Sequence, residues 1–311
     1  MSTHRLLCLA IGIAALPAAV HAQTADKPPA RDAGTLEEVV VTAERREASL
    51  QTVPIAVSAI STETLEKLQV TEARSLERYV PSLRMSNNVT SPTNLSPSLR
   101  GSLQQDASLI VAESPFGIYV DDVYIGRLNG NNVALADIER VEVLRGPQGT
   151  LYGRNNLGGA IKLETRRPTT DAIKYNADVT LGSFQRVDVR GAVNLPLSDT
   201  VAATLSVLSR NDAGYYTNVE TGEELNGKDT QTVRGALSWT PSDTFNMLVS
   251  ADYSRDRSGF QVGTPYSSLD PNVAVPVYGG DYSAVTGIPD TNRFSGWGGS
   301  ARLEWTLPQG T

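Results

Sequence analysis

The two imidazoles and one thiol of this chain, His4, Cys8 and His21, all fall within the first 22 of its 311 residues. That stretch carries Arg5, an apolar run from Leu6 to Leu16 and the small-residue site Val20-His21-Ala22 before Gln23, the three parts of a secretory signal peptide. The apolar run is shorter than the roughly 20 residues of a spanning helix. Cys8 lies inside it, away from the cleavage point where a lipid anchor would attach. Removing this leader leaves no Cys or His. Zinc ligand sets, haem ligation, Ser-His-Asp or Cys-His machinery and disulfides then have no donors. Paired carboxylates could still do acid–base work, but no spacing marks a pair. The expectation is a non-enzyme with no catalytic residues, no cofactor and no metal. With 34 acidic against 27 basic side chains and a net charge of −7, and no basic block, a nucleic-acid partner is not expected either.

Two further groups of residues bear on binding. Gly153 and Gly158 have the four-residue gap of a phosphate-binding loop. The residues that follow, up to Ile161, include neither the Lys nor the Ser/Thr that such a loop requires, so these glycines read as tight turns. Glu38-Val39-Val40-Val41-Thr42-Ala43 is a β-branched run between a polar tether, Gln23 to Gly34, and the charged Glu44-Arg45-Arg46-Glu47. A short β-prone stretch with polar flanks suits strand addition to another protein's sheet edge. It suits the first strand of the following domain equally well.

The elements around these residues divide the chain into a leader (1–22), a flexible tether (23–47), an α+β domain (48–168) and a strand-rich region (169–311). In the α+β domain, Val53, Ile55, Val57 and Ala59 alternate as a strand. Ser61 caps a short helix with Glu63 early and Lys67 late. Thr71 opens a second helix with Leu76, Tyr79 and Val80 on one face, stopped by Pro81. Met85 to Ser98 reads as a loop. Tyr119 to Tyr124 reads as two strands about an Asp121-Asp122 turn. Asp137 caps one helical turn before a strand at Val141 to Leu144, and Ala160 to Thr165 gives another strand.

Past Pro168, six segments alternate apolar and polar residues, within 175–181, 187–193, 201–207, 233–239, 245–253 and 301–307. A sandwich strand alternates too, so the connections discriminate. Pro196 to Thr200 and Pro241 to Thr244 are short, whereas Arg210 to Lys228 and Ser254 to Gly296 are long and polar. Short turns at one end and long loops at the other are the layout of an outer-membrane barrel. Trp239 and Trp305 precede the short turns, and Tyr253 and Trp297 flank the longest loop, where interfacial girdles lie. The smallest spanning barrels have about eight strands, so the chain is expected to be the N-terminal part of a longer polypeptide.

Several segments carry a family resemblance. Glu38 to Ala43 resembles a TonB box. Arg100-Gly101 and Gly117-Ile118-Tyr119-Val120-Asp121-Asp122-Val123-Tyr124-Ile125-Gly126 resemble the middle of a TonB-dependent receptor plug. Ile138-Glu139-Arg140-Val141-Glu142-Val143-Leu144-Arg145-Gly146-Pro147-Gln148-Gly149-Thr150-Leu151-Tyr152-Gly153-Arg154-Asn155, with Gly158-Gly159-Ala160-Ile161, is similar to its most distinctive stretch. Ile161-Lys162-Leu163-Glu164 departs from the pattern, which is commonly more apolar there. The resemblance implies an α+β plug followed by antiparallel transmembrane β-barrel strands, six here of about 22, in the outer membrane of a Gram-negative bacterium. It implies TonB-dependent import of a scarce ligand, most commonly a ferric siderophore. TonB would bind Glu38, Val39, Val40, Val41, Thr42 and Ala43, energised through ExbB and ExbD, with outer-membrane lipid around the barrel. Arg100 and Arg145 would lock the plug to barrel glutamates. The plug loops 84–98 and 127–133, with Asn87, Asn88, Asn94, Asn129 and Asn131, would face the ligand. The competing reading is a surface adhesin or secreted β-rich protein with no energy coupling.

Overall fold

The computed structural model describes residues 40–43, 45, 48–68, 70, 72–88, 91–103, 113–126, 137–260, 262, 282–284 and 292–306. The leader, residues 23–39 of the tether (Glu38 and Val39 among them), Asn129 and Asn131 lie outside the described residues.

β1 (Val40–Val41) pairs antiparallel with β2 (Ala48–Ser49). β3 (Ala56–Ser61) leads into α1 (Thr62–Lys67). Ser61 occupies the N-cap position, but its hydroxyl meets the Thr64 hydroxyl at 3.2 Å and caps no amide. The second helix is a 3-10 turn over Ala73–Arg78; Leu76 and Val80 are buried as expected, while Tyr79 faces solvent. Residues 85–98, expected to be a loop, form a hairpin of β4 (Leu83–Asn88) and β5 (Ser91–Leu99), with β6 (Ser102–Leu103) beside it. Leu83, Met85, Leu95 and Leu99 bury a two-residue period that the intervening Asn and Ser conceal.

β7 (Phe116–Val120) and β8 (Val123–Tyr124) flank the Asp121-Asp122 turn, both residues at positive φ, as a tight two-residue hairpin demands. β9 runs Ile138–Arg145, so the helical turn expected ahead of Val141 is strand over 138–140, where Ile138 and Arg140 already pair with Thr165, Glu164 and Ser61. A single turn, α2 (Gly149–Tyr152), leads back to β10 (Gly159–Thr165). These strands make one sheet in the order β3-β9-β10-β7-β8. Successive side chains on a strand face opposite ways. Val141, Val143, Ile161 and Leu163 therefore join the main core with Phe116, Ile118 and Leu76. Leu144 and Ala160, on the other face, pack with Val41, Ala43, Tyr119 and Tyr152. Gly159 closes this region at φ +145, and a Cβ there would lie 2.2 Å from the Leu144 carbonyl oxygen.

Downstream, β11 (Lys174–Gly182), β12 (Arg186–Pro196) and β13 (Val201–Asp212) begin an antiparallel meander. The small strands β14 (Tyr216–Asn218) and β15 (Glu224–Leu225) sit in the first long loop. β16 (Lys228–Ser242), β17 (Phe245–Asp256), β18 (Ser283–Ala284) and β19 (Phe294–Trp305) follow. The six-stranded sheet runs β11-β12-β13-β16-β17-β19. Its last strand starts at Phe294 rather than at Ala301, because Gly296, Gly298 and Gly299 hide the apolar alternation. Val249, Leu237, Val207 and Tyr253 remain exposed on one face, while Ser206, Ser250 and Asp188 are buried on the other. Tyr253 and Trp297 are cross-strand partners at one end, and at the other Phe245 stacks edge-on with Trp239 at 6.0 Å and Trp305 at 5.5 Å. From 245 to 253 is about 27 Å of strand at about 3.4 Å per residue. At a tilt of about 40° that is about 21 Å of height, close to the about 25 Å apolar band of an outer-membrane barrel.

Candidate functional site

Val40 to Ala43 is seated against the second face of the α+β sheet, where charge replaces apolar side chains. Lys162 on β10 stands opposite Glu142 on β9, and Glu164 opposite Arg140, so each charge has an opposite charge as its cross-strand neighbour. Lys162 and Glu142 are both fully buried. The Thr42 amide donates to Glu142 Oε1 over 2.7 Å, and the Thr42 carbonyl accepts from Lys162 Nζ over 3.1 Å. The Thr42 hydroxyl donates to Glu142 Oε1 at 3.1 Å and accepts from Lys162 Nζ at 2.8 Å and Arg140 Nη2 at 3.3 Å. Arg140 Nε holds the same Glu142 oxygen at 2.9 Å. The unusual polarity of 161–164 noted in the sequence thus has a structural use. Its two charged residues face the Val40–Ala43 segment and the ions that hold it.

Tyr152 completes this cradle. Its hydroxyl donates to the Ala43 carbonyl at 2.8 Å, and Arg45 lies 5.1 Å from its ring centroid. Burial, reinforced by the Asp122 and Glu142 carboxylates, pushes its pKa above the ordinary tyrosine range, so the group stays a donor. The ring is fixed in turn: Tyr119 Oη donates to the Tyr152 carbonyl at 3.0 Å, and Asn156 Nδ2 donates to Tyr119 Oη at 2.9 Å. Gly117 admits Asn156, since a Cβ there would come within 2.2 Å of Asn156 Oδ1. The main chain of 40–43 is therefore engaged on both sides, by β2 and by Glu142, Lys162 and Tyr152. Only Val40 of this segment is well exposed.

The α+β domain is also bound to the six-stranded sheet. Asp121 pairs with Arg234, which reaches Asp252 at 3.2 Å. Asp122 pairs with Arg302, whose Nη2 also donates to the Asp121 carbonyl at 3.1 Å. Glu72 receives Arg210 at 3.0 Å and Lys228 at 2.8 Å. In each of these the acid belongs to the α+β domain and the base to the strands, whereas Arg167 of the α+β domain meets Glu304 of β19 at 3.6 Å in the opposite sense. Arg100 is exposed at φ +52, and Arg145 Nε is buried without a hydrogen-bond partner among the described residues. No acid of the described strands reaches either. Sequence reasoning missed the acidic fasteners, although the Asp-Asp turn it placed correctly was the available signal.

Of the asparagines expected to face a ligand, Asn94 is 8% exposed in β5, and Asn87 and Asn88 belong to β4. Asn94 is thus not presented by an open loop. A cavity of about 270 Å³ instead separates Val120, Val123, Ile125 and Ile138 from Thr232 and Ser250 of the strands. Its strand wall is a ladder of paired hydroxyls, Thr232 with Ser254 at 2.8 Å and Ser250 with Ser300 at 2.9 Å.

Comparison with known proteins agrees with this architecture. Residues 49–160 match the family model of the TonB-dependent receptor plug domain. Over 251 residues the chain is 34% identical to the pesticin receptor of Yersinia enterocolitica, covering 78% of this chain and 35% of that protein. Over 241 residues it is 29% identical to the ferrioxamine B receptor of Salmonella typhimurium, covering 74% and 31%. The crystal structure of the ferric yersiniabactin uptake receptor from Yersinia pestis aligns with a TM-score of 0.60 at 25% identity, covering 68% of this chain and 33% of that one. The ferripyoverdine receptor of Pseudomonas aeruginosa aligns with a TM-score of 0.68 at 17% identity, covering 89% and 35%. The chain spans about a third of the length of the curated relatives it matches.

Proposed function

Because this chain belongs to the TonB-dependent receptors of the Gram-negative outer membrane, with a plug domain followed by barrel strands, we propose that the receptor it contributes to imports a ferric siderophore, driven by TonB. The observation that carries this reading is the seating of Val40 to Ala43. A β-prone segment whose backbone is held by a few buried side chains and a two-residue strand can be exchanged for pairing with a partner's sheet edge. Main-chain pairing spreads load over successive hydrogen bonds, which suits a segment that is to be pulled. In the observed arrangement the backbone is already occupied, so TonB pairing follows release of the segment from its cradle. The iron-chelate ligands named for related receptors support a siderophore as cargo.

The test is uptake of radiolabelled iron as ferrioxamine B and as ferric yersiniabactin by cells expressing the complete receptor. Val40→Pro removes a backbone donor and fixes φ. It is expected to abolish accumulation while surface binding persists, and a proton uncoupler is expected to do the same to the parent receptor. Uptake that survives both treatments would overturn the reading; surface binding indifferent to the uncoupler, with no accumulation at all, would favour an adhesin.

A further inference from the structure

We infer that Arg302, on the barrel wall, positions the TonB-box segment through Asp122 and Lys162, so that box and wall are fastened by one ion network that ends on a buried lysine. This deepens the functional reading above and rests on it for the identity of the segment. The geometry is a continuous chain of contacts. Arg302 pairs with Asp122 through Oδ2, and Asp122 Oδ1 lies 3.3 Å from Lys162 Nζ. Lys162 in turn holds the carbonyl and hydroxyl of Thr42. The Lys162 side chain is 1% exposed, so water offers no substitute for these partners.

The balance of charge gives the network its sensitivity. Two carboxylates, Asp122 and Glu164, lie at 3.3 and 3.0 Å from the one ammonium of Lys162, and a third, Glu142, stands opposite it on β9. Among the described residues, Asp122 Oδ1 and Glu164 Oε1 accept no hydrogen bond and depend on the Lys162 charge at 3.3 and 3.0 Å, while Glu142 Oε2 is buried with no donor. Arg140 compensates Glu142, and Arg302 compensates Asp122. Without the Arg302 charge, the half-buried Asp122 carboxylate, whose Oδ1 is shut off from solvent, has Lys162 as its remaining ion partner among the described residues. The ammonium is then drawn toward Asp122 and away from Thr42, since a buried charge stripped of its partner is strongly unfavourable. The relation runs both ways: a pull that takes Thr42 from Lys162 changes what Asp122 has to share with Arg302.

The neighbouring fastener is built differently and supplies the control. Asp121 pairs with Arg234 but is also held by the Thr165 amide and hydroxyl, each at 2.8 Å. It makes no ion pair or hydrogen bond with Lys162. Of two adjacent plug-to-wall ion pairs, only one is wired to the box.

The experiment reads box seating directly, without TonB or a chelate. The single cysteine of this chain, Cys8, lies in the expected leader, and any cysteine in the rest of the complete receptor is first replaced by serine. Val41 is fully buried, and Val41→Cys in the complete purified receptor reports release of the segment as maleimide labelling. Arg302→Met is expected to raise the labelling rate about tenfold, and Arg234→Met to leave it within about twofold, as for uncoupled sites. Adding Asp122→Asn to Arg302→Met is expected to return labelling close to the parent rate, because the uncompensated charge is gone. Equal acceleration by Arg302→Met and Arg234→Met, no acceleration by Arg302→Met, or no recovery in the double variant would each overturn the inference. Arg302→Gln carries the same expectation should Arg302→Met not assemble. If labelling behaves as stated but no iron chelate is taken up, the network stands and the transport reading falls.

Discussion

Thr42 Oγ1 stands between a carboxylate and an ammonium, donating to Glu142 Oε1 over 3.1 Å and accepting from Lys162 Nζ over 2.8 Å. Those partners lie 100 and 120 residues away in sequence. A hydroxyl used as donor and acceptor at once, beside fully buried charges, makes Thr42 the residue that keys the segment into the plug.

Thr42→Val keeps the shape and deletes the hydroxyl. It leaves Lys162 and Arg140 each short of an acceptor and is expected to weaken seating of the segment by about 1–3 kcal/mol. Thr42→Ser is expected to stay close to the parent. Maleimide labelling of Val41→Cys in each background measures the difference, and indistinguishable rates for Val and Ser would remove the keying role from the hydroxyl.

Asp137 is expected to impose a pH dependence on plug stability. Burial pushes its carboxyl pKa above the ordinary value of 3.8, and Arg166, 3.6 Å away, offsets only part of this. With the folded pKa above the unfolded one, this group favours the fold at low pH, and that contribution is lost as pH rises through the folded pKa. Asp137→Asn is therefore expected to raise the urea midpoint of the plug at pH 7, with the gain shrinking toward pH 4. A loss of stability at pH 7 would mean that the Arg166 pair outweighs the burial.

The exposed face of the six-stranded sheet should respond to charge according to depth. Val249 lies midway between the aromatic ends, and Trp297 lies at one of them. Val249→Arg is expected to cost about 2–4 kcal/mol and Trp297→Arg about 0–1 kcal/mol in lipid. Reversible unfolding in phospholipid vesicles provides the comparison. Equal costs at the two positions would place lipid elsewhere.

The amino-acid order by itself determined the six long strands after residue 168, though not the start of the last one or the short strands β14, β15 and β18, together with the Asp121-Asp122 turn and the family motifs. Each is a local property: a period of two, a turn chemistry, a short run of residue types. The hairpin at 83–99 was missed because its apolar positions are spaced among Asn, Ser and Pro, and only packing against Phe116 and Leu163 discloses them. The tertiary structure alone decided how charge is used. Nothing in Ile161-Lys162-Leu163-Glu164 announces that Lys162 will face Thr42, because facing depends on which strands pair and in what register. The fold likewise brought Asp121, Asp122 and Glu72 of the plug to Arg234, Arg302, Arg210 and Lys228 of the wall, and Arg167 to Glu304. A charged residue in a sequence states what it can bind, and only a closed fold brings the partner within about 3 Å and excludes the water that would otherwise take its place.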